Sequence, residues 1–176
     1  MKPETVYLRT YSSPLGPMVL ACTDHGLTGV WFRDAKHIQI PAHASEDPEH
    51  PVLMQTVWWL DCYFQGAIPT DSPPFVLSST PFRIEVWKIL QTIPYGETRT
   101  YGELAEQIAR QRGIPRMSAQ AIGGAVSRNP ISILIPCHRV IGADHSLTGY
   151  DGGLDKKEGL LKLEGILPQT YSCSCF

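Results

Sequence analysis

From Gly66 to Pro81 the chain reads GAIPTDSPPFVLSSTP, a stretch with four prolines and no helical period. Proline removes a backbone donor and fixes φ, so neither a helix nor a central strand continues through such a run. The 176 residues therefore read as two bodies. An N-terminal domain is expected over 1–80, with 66–80 as its linker, followed by a C-terminal domain over 81–168 and a flexible tail over 169–176.

The two halves carry different periodicities. Tyr7–Tyr11, Met18–Cys22 and Leu27–Phe32 read as short strands, the first two joined antiparallel through the turn composition Ser12-Ser13-Pro14-Leu15-Gly16. Pro41–Pro51 reads as a loop, and Val52–Phe64 as a helix with Leu53, Val57, Leu60 and Phe64 on one face. In the second half, Thr80 and Pro81 open a helix that stops by Pro94, and Thr100 caps another from Tyr101 to about Ala109. Residues 110–116 then form a turn before a helix from Ser118 to about Val126, built from small residues that include Ala119, Gly123 and Gly124. Two short helices joined by a Gly-containing turn match a helix-turn-helix with a lengthened connection. Each interior glycine costs a helix about 1 kcal/mol. Close approach of another body to the backbone, DNA or a neighbouring helix, would offset that cost.

Charge separates the halves as well: residues 1–80 hold four Lys/Arg against eight Asp/Glu (4 − 8 = −4), and 81–176 hold eleven against nine (11 − 9 = +2). Between Gln107 and Ala143 lie Arg110, Arg112, Arg116, Arg128 and Arg139 and no acid. Such a run suits a phosphate-contacting surface or a solvated face, and charge alone does not choose. The longest apolar runs, such as Ile131–Ile135, are too short to span a bilayer, and the first residues carry no secretory pattern. Five cysteines without regular spacing favour a reducing compartment and leave at least one thiol free. A cytoplasmic protein without membrane contact is expected, nuclear if its source is eukaryotic.

The chemistry concentrates at Asn129–Val140, which reads as an apolar strand ending at Pro136 and delivering Cys137, His138 and Arg139 in succession. Thiolate is the reactive form of cysteine, and an adjacent imidazole and guanidinium are expected to lower the thiol pKa. Successive side chains of a strand face opposite ways, so His138 serves Cys137 only if the backbone turns after Pro136 or a water bridges them. A packed, incidental Cys–His pair is the competing reading. Leu154–Glu164 reads as a helix stopped by Gly165, and Glu164 sits unfavourably at its C-terminal end. Either Glu164 orients His138 in a nucleophile–base–acid chain, or it is a surface glutamate tolerated at small cost.

Pro136-Cys137-His138-Arg139-Val140, preceded by Asn129-Pro130 and followed by Thr148-Gly149-Tyr150 and Glu164-Gly165, resembles the methylated-DNA:protein-cysteine methyltransferases, or O6-alkylguanine-DNA alkyltransferases. The resemblance runs continuously over about 80–166; before that it rests mainly on Ser13-Pro14-Leu15-Gly16. It implies a ribonuclease H-like α/β N-terminal domain and a mostly helical C-terminal domain with a winged-helix-like helix-turn-helix that binds the minor groove. The implied reaction is DNA repair: a guanine alkylated at O6, or a thymine at O4, is flipped out and its alkyl group passes irreversibly to Cys137. By resemblance His138 takes the thiol proton through a water, Glu164 orients the imidazole, and Tyr101 moves the nucleotide and lends its hydroxyl to the leaving base. Asn129 holds the turn before the reactive segment, Tyr150 packs on the flipped base, and backbone groups near Val140 and Asp151 read its edge, with Lys157 near the pocket. Ala119, Gln120 and Gly123, with Arg116 and Arg128, would face DNA. The implied partner is duplex DNA containing O6-alkylguanine, bound by a monomer. No cofactor is expected, and no metal, since Cys22 and His25 do not make the two-Cys, two-His zinc set of some relatives.

Two departures stand out. Gln120 replaces the arginine that usually enters the vacated stack, and Asp151 replaces a small uncharged residue. The alternatives are an alkyltransferase-like protein that recognises damage without repairing it, whose members lack the cysteine present here as Cys137, and a cysteine hydrolase. The hydrolase would leave the helix-turn-helix without a purpose.

Overall fold

The computed structural model describes residues 2–168, so Cys173 and Cys175 lie outside the described residues. Two compact units form: residues through Ser78 together with Pro130–Leu134, and Ser79–Asn129 with the residues from Ile135 onward.

In the first unit β1 (Tyr7–Ser13), β2 (Gly16–Thr23) and β3 (Gly26–Phe32) make an antiparallel meander. Within the expected Pro41–Pro51 loop a two-residue strand, β4 (Ser45–Glu46), pairs parallel to β1, giving the order β3-β2-β1-β4. Alternation along β2 buries Met18, Leu20 and Cys22 on one face. Helix α1 (Pro51–Phe64) packs on the sheet, and Ala21 joins Val6 and Trp31 in a smaller cluster. His50 caps α1: its Nδ1 accepts from the Val52 N–H at 3.3 Å and lies 3.3 Å from Cys22 Sγ, while Nε2 lies 3.1 Å from Asp24. Burial first, then Asp24 and Asp47, push the Cys22 thiol up to about 12, so it is held protonated.

The proline-rich run is fastened to β3, where Leu27 N–H donates to Pro74 O and Val76 N–H to Leu27 O, both at 2.8 Å. Residues 130–134 pair with the same strand through Val30 N–H to Pro130 O at 2.8 Å and Ser132 N–H to Val30 O at 2.9 Å.

The second unit packs α2 (Pro81–Leu90), α3 (Tyr101–Arg112) and α4 (Ala119–Val126) together. Beside them are a two-residue parallel pair, β5 (Arg99–Thr100) and β6 (Val140–Ile141), and α5 (Leu154–Leu163). Local chemistry starts these helices: Thr80 caps α2, Thr100 and Glu103 form a reciprocal capping box on α3, and Ser118 caps α4. Helix α3 runs one turn beyond the expected Ala109 because its stop is Gly113, in the left-handed region at φ 64°.

The continuous strand expected over Asn129–Val140 does not form. Its residues 130–134 belong to the first unit, Ile133 turns at φ 73°, and Cys137–Arg139 coils into one 3-10 turn. Pro130 and Pro136 bracket the apolar run and remove the donors a longer ladder would need.

Candidate active site

The bend after Pro136 supplies the turn that an extended backbone lacks. Arg139 N–H closes it onto Pro136 O at 3.0 Å, and Cys137, His138 and Arg139 are all buried. Asn129 reaches the same segment twice: its Nδ2 donates to Ile135 O at 2.8 Å, and its side chain hydrogen-bonds the Cys137 thiol. Burial pushes that thiol up, opposed by the Asn129 hydrogen bond and the Lys157 charge and assisted by Asp151. The expectation of a thiol lowered by His138 and Arg139 is therefore corrected: desolvation dominates at rest, and the Arg139 guanidinium is engaged elsewhere.

It is engaged with Glu164. His138 Nε2 lies 2.6 Å from Glu164 Oε1, both side chains being fully buried. Arg139 forks onto the same carboxylate, Nε to Oε2 at 2.8 Å and Nη2 to Oε1 at 2.9 Å, and Gly96 N–H adds a contact to Oε2 at 3.2 Å. The third guanidinium nitrogen, Nη1, donates to Ile93 O at 2.7 Å, and the Tyr95 ring lies 5.7 Å from the guanidinium carbon. These donors offset the unfavourable helix-end position of Glu164. Burial lowers the His138 pKa; Glu164 opposes this, whereas Arg139 and Lys157 reinforce it, so the ring is neutral at rest.

Tyr101 is the first residue of α3, placed by the Thr100 cap, and its hydroxyl donates to Thr148 O at 3.0 Å and lies 3.4 Å from Gly149 O. Lys157, fully buried on α5, donates through Nζ to Val140 O and to Thr148 O at 2.9 Å, and lies 6.0 Å from the Tyr101 ring centroid. Desolvation lowers this ammonium to about 8, against the pull of Cys137. Tyr101 is raised by burial and by Cys137. Tyr150 and Asp151 are half-buried in the turn that Gly153 N–H closes onto Tyr150 O at 3.0 Å. Cys137, Asn129, Tyr101, Lys157, Asp151 and the His138–Glu164 pair thus form one connected cluster.

The helix-turn-helix meets this cluster through Tyr101, the first residue of α3, beside which Gly123 of α4 lies. Ala119, Gln120, Arg116, Arg128 and Arg110 are exposed. An open groove of about 990 Å³, lined among others by Ala105, Arg110, Arg116, Ala119 and Gln120, runs between α3 and α4 without including Cys137. Two of the five arginines in the acid-free run are not on this face. Arg112 pairs with Glu85 at 2.6 and 2.9 Å and lies over Phe82, and Arg139 is buried on Glu164. A Cβ on Gly124 would meet nothing within 4 Å among the described residues, and one on Gly123 would make ordinary contact with the Tyr101 ring at 3.8 Å. Packing against a neighbouring helix therefore does not account for these glycines.

Sequence reasoning missed the second partner of Glu164. Its only signal was that Arg139 adjoins His138; the carboxylate that binds both is 25 residues further on.

Family models described as the ribonuclease-like domain and the DNA-binding domain of 6-O-methylguanine DNA methyltransferase match residues 6–73 and 81–166. A methylated-DNA–protein-cysteine methyltransferase of Methanosarcina acetivorans is 45% identical over 161 residues, covering 91% of this chain and 99% of that protein. A Mycobacterium leprae protein of the same name is 44% identical over 159 residues, covering 90% and 92%. The crystal structure of Mycobacterium tuberculosis OGT in complex with DNA superposes with a TM-score of 0.80 at 42% identity, covering 90% of this chain and 93% of that one.

Proposed function

The chain belongs to the 6-O-methylguanine DNA methyltransferase family, whose members repair DNA by alkyl transfer to protein cysteine, and from that membership we propose that Cys137 is the acceptor and an O6-alkylated guanine the donor. The observation that carries this assignment is the clustering of one buried thiol with the hydrogen-bonded His138–Glu164 pair, Asn129, Lys157 and Tyr101. Cys22, by contrast, is locked as a thiol on His50.

In the proposed reaction Glu164 accepts from Nε2 of His138, so Nδ1 is the nitrogen that receives the Cys137 proton, through a water. Thiolate sulfur attacks the alkyl carbon in line; the S–C bond forms as the C–O bond to guanine breaks. The departing base needs a proton donor, and the Tyr101 hydroxyl supplies it after leaving Thr148 O, its burial keeping it protonated until then. The Lys157 charge acts on the developing thiolate and lowers its cost. A thioether has no easy exit, so each molecule acts once. The proposed partner is duplex DNA containing the alkylated guanine, bound by a monomer. Cys137 itself favours repair over damage recognition without transfer.

The test is to mix the protein with a duplex oligonucleotide containing O6-methylguanine and weigh both intact protein and peptides. A gain of about 14 Da, the mass of a CH2 group, is expected on the peptide carrying Cys137, without a second turnover. Label on Cys22 or Cys62, or sustained turnover, would overturn the assignment.

A further inference from the structure

We propose that Arg139 is a positioning residue for the transfer: it holds Glu164 ionised with both oxygens committed, keeps the His138 proton on Nε2, and so reserves Nδ1 for the proton of Cys137. The inference rests on the reading of Cys137 as acceptor.

The contact geometry supports it. A buried carboxylate facing an imidazole alone can rotate, or take up a proton and become a donor toward Nε2, which would move the ring proton to Nδ1. Arg139 closes both routes. Nε and Nη2 approach different oxygens at 2.8 and 2.9 Å, a bidentate fork that fixes the carboxylate plane. The fork is itself held, because Nη1 donates to Ile93 O at 2.7 Å and Tyr95 covers the guanidinium. With Glu164 acceptor-only and 2.6 Å from Nε2, the proton of a neutral imidazole belongs on Nε2.

Charge points the same way. At rest Glu164 and Arg139 cancel beside a neutral His138. The charged and titratable groups around the ring are Cys137 and Arg139 from its own turn, Lys157 from α5 and Glu164 at its C-cap, and Tyr95 from the connection after α2, which couples to both Glu164 and Arg139. Glu164 favours an imidazolium, whereas Arg139 and Lys157 oppose one drawn from bulk water. A proton delivered by Cys137 is different, since it leaves a thiolate behind to balance the new cation. Arg139 therefore biases His138 toward protons from the thiol. Removing its charge should stabilise the unreactive state, thiol beside imidazolium, to higher pH.

The experiment measures single-turnover methyl transfer from saturating O6-methylguanine duplex between pH 5 and 9. Peptide mass of the wild-type product is read first; methyl on a residue other than Cys137 refutes the acceptor reading, whatever Arg139 does. In Arg139→Met the acidic limb of the rate profile should move up by about one to two pH units, with at least about a tenfold slower transfer at pH 7. Arg139→Lys, which keeps charge but loses the fork, should return the limb to within about half a unit while the rate stays several-fold low. A limb that stays in place or moves down in folded Arg139→Met overturns the proposal. Should that variant not fold, 15N NMR of wild-type His138 decides: an Nε2–H neutral tautomer at pH 7 is expected, and an Nδ1–H tautomer or an imidazolium overturns the proposal.

Discussion

Glu164→Gln should destabilise this protein far more than the loss of one negative charge at its surface. The carboxylate receives His138 Nε2 and Arg139 Nη2 on Oε1, at 2.6 and 2.9 Å, and Arg139 Nε and Gly96 N on Oε2, at 2.8 and 3.2 Å. An amide offers one oxygen and one NH2 group. Whichever way it is turned, two of those donors face another donor, and Arg139, with its side chain 10% exposed, is left buried without a counter-ion. Breaking one partner of a buried ion pair costs about 3–5 kcal/mol. For a chain of this size each kcal/mol lowers Tm by about 2–4 °C, so a fall of roughly 6–20 °C is expected. Thermal unfolding at pH 7 measures it, with Glu106→Gln, at an exposed position of α3, as the control expected to stay within about 0.5 kcal/mol. A Tm loss below about 2 °C for Glu164→Gln would show that the four hydrogen bonds do not act as a buried charge network.

Three further outcomes follow from the exposed face. The log–log salt dependence of duplex affinity, read by fluorescence anisotropy, should flatten by about 0.9 for each phosphate that Arg110→Gln or Arg128→Gln no longer neutralises. Arg112→Gln should leave the slope unchanged, because that guanidinium is spent on Glu85. Gln120→Arg should raise the ratio of transfer rates for duplex over free O6-methylguanine, since a stacked guanidinium supports the emptied site and a free base has none to support; an unchanged or lower ratio would remove Gln120 from that position. Gly124→Ala, with open space beyond its Cα, should raise unfolding stability by up to about 1 kcal/mol. It should also weaken duplex binding if bare helix backbone meets DNA, and undiminished affinity would exclude that approach.

Most element starts were readable from short windows because the groups that decide them are adjacent in the chain. Thr80 with Pro81, the Thr100–Glu103 box and Ser118 each satisfy helix donors two or three residues away, and the alternation through Met18, Leu20 and Cys22 needs no distant partner. The Thr80 and Thr100 caps and the apolar spacing placed α1 to α3, a run of small residues placed α4, and the Cys-His-Arg run marked where the chemistry lies. Glu164 was readable as a helix-end anomaly, open to a partner such as His138 or to a tolerated surface position.

What adjacency left undecided was settled by residues far apart in sequence meeting in the fold. An apolar run such as Ile131–Ile135 buries equally well in a strand or in pieces. Its division between two units, with Ile133 at φ 73°, depends on β3 offering Val30 as a partner 101 residues earlier. Arginines look alike in a charge count, yet Arg112 meets Glu85, Arg139 meets Glu164, and Arg110, Arg116 and Arg128 face solvent. The resting state of Cys137 changed direction for the same reason. Neighbours in the chain argue for a lowered thiol pKa, but desolvation is a property of everything packed around the sulfur, and here it outweighs them.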